Sequence, residues 1–149
     1  MAPEDAQAAL KRIELADHLG CLADCDLVIE AIVENLEVKR SLIVELEKVV
    51  REDTIIASNT SSLSITAIAA GSQHPERVAG FHFFNPVSLM KVVEVVRGLR
   101  SSNSTLDWLG ALARQLGHTA VRCRDMPGFV VNHAGRALNT EGLRIVRKR

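Results

Sequence analysis

His82 lies in the run Phe81-His82-Phe83-Phe84, and Glu94 interrupts the apolar run Val92-Val93-Glu94-Val95-Val96. Both runs have the β-branched and aromatic character of strands. Only the turn signal Asn85-Pro86 and a short segment separate them, so the two side chains can meet across neighbouring strands. A carboxylate held against one imidazole nitrogen fixes the tautomer and stabilises the imidazolium, and the other nitrogen is then free to take a proton. Such a pair can remove a hydroxyl proton while hydride leaves the same carbon. Each residue also has a plainer reading. A histidine among phenylalanines suits a satisfied core side chain, and Glu94 needs a partner only if its face of the strand is buried.

Other polar residues follow predicted strands. Glu34 and Asn35 come after the apolar run at 26–33, Ser58-Asn59-Thr60-Ser61-Ser62 closes the run at 54–58, and His82 and Asn85-Pro86 stand at the end of 78–83. In open α/β sheets, ligands bind beyond the carboxyl ends of the strands. Successive strands delivering polar groups to one edge form a stronger signal than any one of those residues. Taken alone, the serine run also reads as a helix N-cap ahead of Leu63-Ser64-Ile65. His18, Cys21 and Cys25 are close in sequence, but their spacing matches no standard zinc pattern. They read as packing and surface residues, and no metal is expected.

The elements that must position these groups alternate between strand and helix. A helix end is predicted over 6–12 and a short strand over 13–15, then a strand over 26–33 that is apolar on both faces except at Glu30. Residues 36–50 carry Leu42, Ile43, Leu46, Val49 and Val50 at helical spacing, as in an amphipathic helix. Strands follow over 54–58, 78–83, 92–96 and 119–123, with helices over 64–70 and 105–116. Alternation of this kind predicts an α/β fold with a mostly parallel sheet and flanking helices. Asp125-Met126-Pro127-Gly128 stops the last strand, and residues 129–146 read as one long helix that opens a second element of structure.

Composition narrows the function classes. The chain has 149 residues, 47% of them hydrophobic and 24% charged, which suits a globular domain and argues against disorder. Eighteen basic residues balance eighteen acidic ones, so no net field draws nucleic acid or a membrane surface. Arg144, Arg147, Lys148 and Arg149 read as a solvated helix terminus. No apolar run approaches the roughly 20 residues that span a bilayer. The charged N-terminus lacks a signal-peptide core, and three cysteines do not build a disulfide framework. A cytoplasmic protein is the expectation.

Phe81-His82-Phe83-Phe84-Asn85-Pro86, continuing through Met90-Lys91-Val92-Val93-Glu94-Val95, resembles the signature of the 3-hydroxyacyl-CoA dehydrogenase family, most closely its bacterial 3-hydroxybutyryl-CoA members. So do Ile32-Val33-Glu34-Asn35, Ser58-Asn59-Thr60-Ser61-Ser62 and Pro127-Gly128-Phe129-Val130-Val131-Asn132, in the family's order and spacing. The resemblance implies a Rossmann-like NAD-binding domain over 1–125 and the first helix of an all-α C-terminal domain over 126–149. It implies that His82 is the catalytic base and Glu94 its paired acid, that Ser61 and Asn132 contact substrate, and that Glu34, Lys39, Asn59 and Asn85 lie on the cofactor side. NAD, an acyl-CoA substrate and a homodimer are implied with it. Family members open with a βαβ unit carrying a Gly-x-Gly-x-x-Gly turn that holds the cofactor's pyrophosphate. No such turn occurs in these residues. The expectation is therefore a partial domain lacking that first unit, weakly active or inactive alone, with a non-catalytic module of the same fold as the alternative.

Overall fold

The computed structural model describes residues 2–147; Lys148 and Arg149 of the basic cluster lie outside them. Five strands form one sheet in the order β1 (Leu27–Glu30), β2 (Ile55–Ser58), β3 (Val78–Phe83), β4 (Val92–Arg97) and β5 (Thr119–Arg124). The β1–β2, β2–β3 and β4–β5 pairs are parallel and β3–β4 is antiparallel. The helices are α1 (Pro3–Leu10), α2 (Leu36–Glu47), α3 (Ile65–Ile68), α4 (Asn103–Gln115) and α5 (Val131–Arg147). The predicted mostly parallel α/β sheet is present. The strand predicted over 13–15 is not: those residues have no sheet neighbour, and Leu15 is 99% exposed. Two apolar residues flanking Glu14 cannot hold an extended segment without a ladder partner. Among the described residues, no helix is long and apolar enough to cross a membrane.

Strand alternation sorts the core into two layers. Val28, Ile56, Val78 and Val96 face Ile43 and Leu46 of α2 and Ile65 and Ile68 of α3. Ile55, Ala57, Ala79, Phe81, Val93 and Val95 face Leu106, Leu109 and Ala113 of α4. Gly80 sits beneath Ile65 of α3 and beside Val96 of β4. A Cβ there would lie 2.7 Å from Val96 Cβ and 2.9 Å from Ile65 Cδ1.

The helix starts are capped by the residues that precede them. Asn35 Oδ1 accepts from the N–H groups of Glu37 and Val38, so this asparagine caps α2 instead of facing a ligand. Ser64, predicted as a helical residue, caps α3 through Ala67 N–H, which leaves the serine run at 58–62 for other work. Asp125, just past β5, binds the same helix start. It accepts from Ser64 Oγ at 2.6 Å, Ile65 N–H at 3.0 Å and Thr66 N–H at 2.8 Å. Burial pushes the Asp125 carboxyl up, but the hydrogen bonds from Ser64, Thr66 and Ile65 outweigh it and hold the group below the ordinary carboxylate value. Beyond this clamp the chain turns through Gly128 (φ 76°) and Phe129 (φ 50°) into α5, where Leu138, Leu143 and Val146 remain exposed.

Two outcomes follow. Gly80→Ala should cost about 1–3 kcal/mol by overpacking, read as a shift in urea midpoint; an unchanged midpoint would contradict the close approach. Asp125 has a depressed native value, so its contribution is present above the unfolded value of about 3.9 and lost as pH falls through the native one. Asp125→Asn should lower stability by about 1 kcal/mol at neutral pH, and the gap should close as thermal melts are repeated below about pH 3.9.

Candidate active site

The antiparallel register sets His82 directly opposite Glu94. Glu94 is fully buried and His82 is 5% exposed. His82 Nδ1 lies 2.8 Å from Glu94 Oε2. The other carboxylate oxygen, Oε1, accepts from the backbone N–H groups of Val130 and Val131, each at 2.9 Å. These amides belong to the start of α5 and the residue before it, and the left-handed pair Gly128 and Phe129 turns them toward the carboxylate. Both Glu94 oxygens are thus engaged, and the imidazole is held through Nδ1. Its ring sits between Phe84, with centroids 4.5 Å apart, and Phe129, at 5.8 Å. Nε2 has no hydrogen-bond partner among the described residues and is the nitrogen left for a proton from outside. Nearby Cys123 offers no competing nucleophile: burial, and then the negative charges of Glu94 and Asp125, push its thiol up to about 12.

The parallel strands β1, β2 and β3 bring a second set of groups to the same edge. Lys39 is 1% exposed, and its ammonium donates to Glu30 Oε1 at 3.0 Å, Glu30 Oε2 at 2.7 Å and the Ile32 carbonyl at 3.2 Å. Ser58 Oγ also donates to Glu30. Glu34 Oε2 is 3.5 Å from the same ammonium, while its Oε1 accepts from the Thr60 and Ser62 hydroxyls. Burial raises the Glu34 carboxyl, but the Thr60 hydroxyl, the Lys39 charge and the Ser61 N–H together bring it below its ordinary value. Glu34 keeps 40% of its side chain exposed, and the buried Lys39 ammonium lies behind it.

The remaining predicted residues fall into two groups. Asn132 Nδ2 donates to the Ser61 carbonyl at 3.3 Å, which joins the loop after β2 to α5. Asn59 Oδ1 accepts from Phe83 N–H at 2.9 Å and ties that loop to β3. Asn85 is exposed in the turn beyond β3, next to a cis peptide bond to Pro86, and makes no side-chain hydrogen bond among the described residues. Glu30 was not among the predicted site residues, although the signal was visible: like Glu94, it is a single charge in an apolar strand. The backbone amides of Val130 and Val131 gave no signal of their own, because no side chain marks them.

The family model described as "3-hydroxyacyl-CoA dehydrogenase, NAD binding domain" matches residues 1–126. The chain is 44% identical over 148 residues to 3-hydroxyadipyl-CoA dehydrogenase of Escherichia coli (strain K12), covering 99% of this chain and 31% of that protein. It is 44% identical over 145 residues to a probable 3-hydroxybutyryl-CoA dehydrogenase of Deinococcus radiodurans, covering 97% and 51%. The crystal structure of 3-hydroxybutyryl-CoA dehydrogenase from Escherichia coli K12 superposes with a TM-score of 0.96 at 44% identity, over 99% of this chain and 31% of that one. The chain therefore spans about a third to a half of the length of these relatives. With the model covering most of the sequence and the sheet matching throughout, the chain belongs to the 3-hydroxyacyl-CoA dehydrogenase family and carries sequence of its NAD-binding domain.

Proposed function

We propose that this chain supplies the acid–base half of an NAD-dependent enzyme for the reversible oxidation of a (3S)-hydroxyacyl-CoA to the 3-ketoacyl-CoA, in fatty-acid or aromatic-compound degradation. The observation that carries the proposal is the buried His82–Glu94 hydrogen bond, with the second Glu94 oxygen held by two backbone amides. The relatives' names, which specify 3-hydroxyadipyl-CoA and 3-hydroxybutyryl-CoA, support the substrate class.

The residues at the sheet edge fit the nicotinamide end of the cofactor. Glu34 holds a partly exposed carboxylate there, and negative charge suits a ring that is cationic when oxidised. Glu34 and Asn59 would border the nicotinamide of NAD, which would supply the hydride acceptor. His82 Nε2 takes the hydroxyl proton of the substrate, and Glu94 stabilises the positive charge that the imidazole gains. In the reverse direction the imidazolium donates its proton to the ketone oxygen. Ser61 and Asn132, tied together by their hydrogen bond, hold the acyl group against His82. Asn59 fixes the loop beside the nicotinamide through Phe83 N–H, Asn85 borders it from the turn after β3, and Lys39 acts through Glu34.

The proposal extends to the organisation of the enzyme. Residues 1–125 serve the NAD-binding domain, and 126–149 begin a helical domain. The exposed Leu138, Leu143 and Val146 on α5 support this, because an apolar helix stripe requires a covering surface. The working enzyme is read as a cytoplasmic homodimer. Residues 1–149 contain no Gly-x-Gly-x-x-Gly turn, and charge-assisted contacts to the pyrophosphate are among the strong ones. The 149-residue polypeptide by itself is accordingly read as a poor catalyst.

A chimera tests the chemistry apart from the cofactor grip. This chain, placed in the Escherichia coli relative in place of its matching stretch, should yield an enzyme that oxidises NADH with acetoacetyl-CoA. His82→Gln in that chimera should lower kcat by about 10²- to 10⁴-fold with little change in the KM for NADH. A variant that keeps the parent kcat would remove His82 from its role. The 149-residue chain alone should show little or no turnover, and a rate equal to the chimera's would overturn the reading of it as a poor catalyst.

A further inference from the structure

We infer that Glu30 is a positioning residue that sets which oxidation state of the cofactor is favoured. By occupying the Lys39 ammonium inside the core, it leaves the Glu34 carboxylate charged, and that charge favours the oxidised nicotinamide over the reduced one. The inference rests on the reading of Glu34 as a neighbour of that ring. Strand alternation turns Glu30 to the same side of β1 as Val28, into the layer under α2. Lys39, near the start of α2, shares that helix's buried stripe with Ile43 and Leu46. A cation in an apolar stripe needs a partner, and Glu30 is the buried carboxylate that meets it.

The distances show how the ammonium is shared. An ammonium offers three N–H donors. Glu30 Oε2 at 2.7 Å, Glu30 Oε1 at 3.0 Å and the Ile32 carbonyl at 3.2 Å accept them. Glu34 Oε2 stands farther off at 3.5 Å, and Glu34 Oε1 is held by the Thr60 and Ser62 hydroxyls instead. Ser58 Oγ, itself buried, donates to Glu30 and supports its carboxylate. Two carboxylates and one ammonium sum to a single negative charge. The Glu30 and Lys39 side chains are 0% and 1% exposed, so the uncompensated charge falls on Glu34, the member that meets solvent. Were Glu30 neutral, the ammonium would turn to Glu34 and the sum would be zero. A ring that is cationic when oxidised and neutral when reduced feels that difference. Glu30 is too deeply buried to touch it and acts through Lys39 and Glu34.

Two measurements test the inference and separate it from the reading beneath it. In the 149-residue chain, carbon-13 NMR follows the Glu34 carboxyl through its titration. Glu30→Gln should move the midpoint to lower pH, because the freed ammonium turns to Glu34; a midpoint that stays or rises would overturn the inference with no cofactor involved. In the chimera with the Escherichia coli relative, equilibrium Kd values for NAD and NADH are read by fluorescence titration and competition. Glu30→Gln should raise the ratio of the NAD Kd to the NADH Kd by about three- to tenfold, and Glu34→Gln should raise it similarly. Glu30→Gln combined with Lys39→Met removes one charge of each sign and should hold the ratio within about twofold of the parent's. A ratio that moves in Glu34→Gln but not in Glu30→Gln, or that falls in the double variant, would overturn the inference. A ratio unmoved by Glu34→Gln would overturn the reading on which it rests. Thermal melts accompany each variant, and if Glu30→Gln does not fold, the double variant, which buries no unpaired charge, decides the question.

Discussion

A carboxylate with no exposure to water sits in the middle of a central strand, and the architecture around it is arranged to satisfy it. An unpaired buried charge costs several kcal/mol, so Glu94 obliges its neighbours to supply donors. One comes from β3, which must run antiparallel to β4 to place His82 opposite. Two come from the backbone at the start of α5, which must be turned back over the sheet by Gly128 and Phe129. Asp125 then fixes the root of that turn by binding the first residues of α3. The interaction that makes Glu94 tolerable in the core also aims the imidazole.

A comparable device works at the neighbouring strand ends. Glu30 is buried at the end of β1 and takes the Lys39 ammonium and the Ser58 hydroxyl. Lys39 is buried with it, so what reaches the surface is the Glu34 carboxylate, steadied by Thr60, Ser62 and the ammonium behind it. The loop after β2 is therefore held from three sides: by Glu34 through Thr60, by β3 through Asn59, and by α5 through the Asn132 bond to Ser61. Pairing Glu30 with Lys39 contributes little net stability compared with apolar packing, whereas removing either partner alone would strand a charge in the core at a cost of about 3–5 kcal/mol.

How much of this could be read from the sequence depends on whether the determining group is a side chain out of place. Glu94 and His82 were legible because a charge in an apolar strand and an imidazole among phenylalanines stand close to one turn signal. The strands from 26 onward were legible because apolar, β-branched runs mark them, although the first ends at Glu30 and leaves 31–33 outside the sheet, whereas residues 13–15 lacked a partner that no local pattern could report. Lys39 was not legible as a buried group, since lysine is a surface residue by default and its partner Glu30 lies in a separate element. Asn35 and Ser64 carried the residue types of helix caps, but spacing alone did not decide between a cap and a ligand contact. The amides of Val130 and Val131 were invisible, because backbone donors depend on the path of the turn and not on side-chain identity.

Held 2.8 Å from Glu94 Oε2, His82 Nδ1 should carry the ring proton and leave Nε2 as the base. A long-range proton–nitrogen correlation spectrum of the histidine side chains reads this directly. The expected spectrum shows a protonated Nδ1 and a bare Nε2 for His82, a pattern that Glu94→Gln disturbs. A dominant Nε2-protonated ring in the unaltered chain would contradict it.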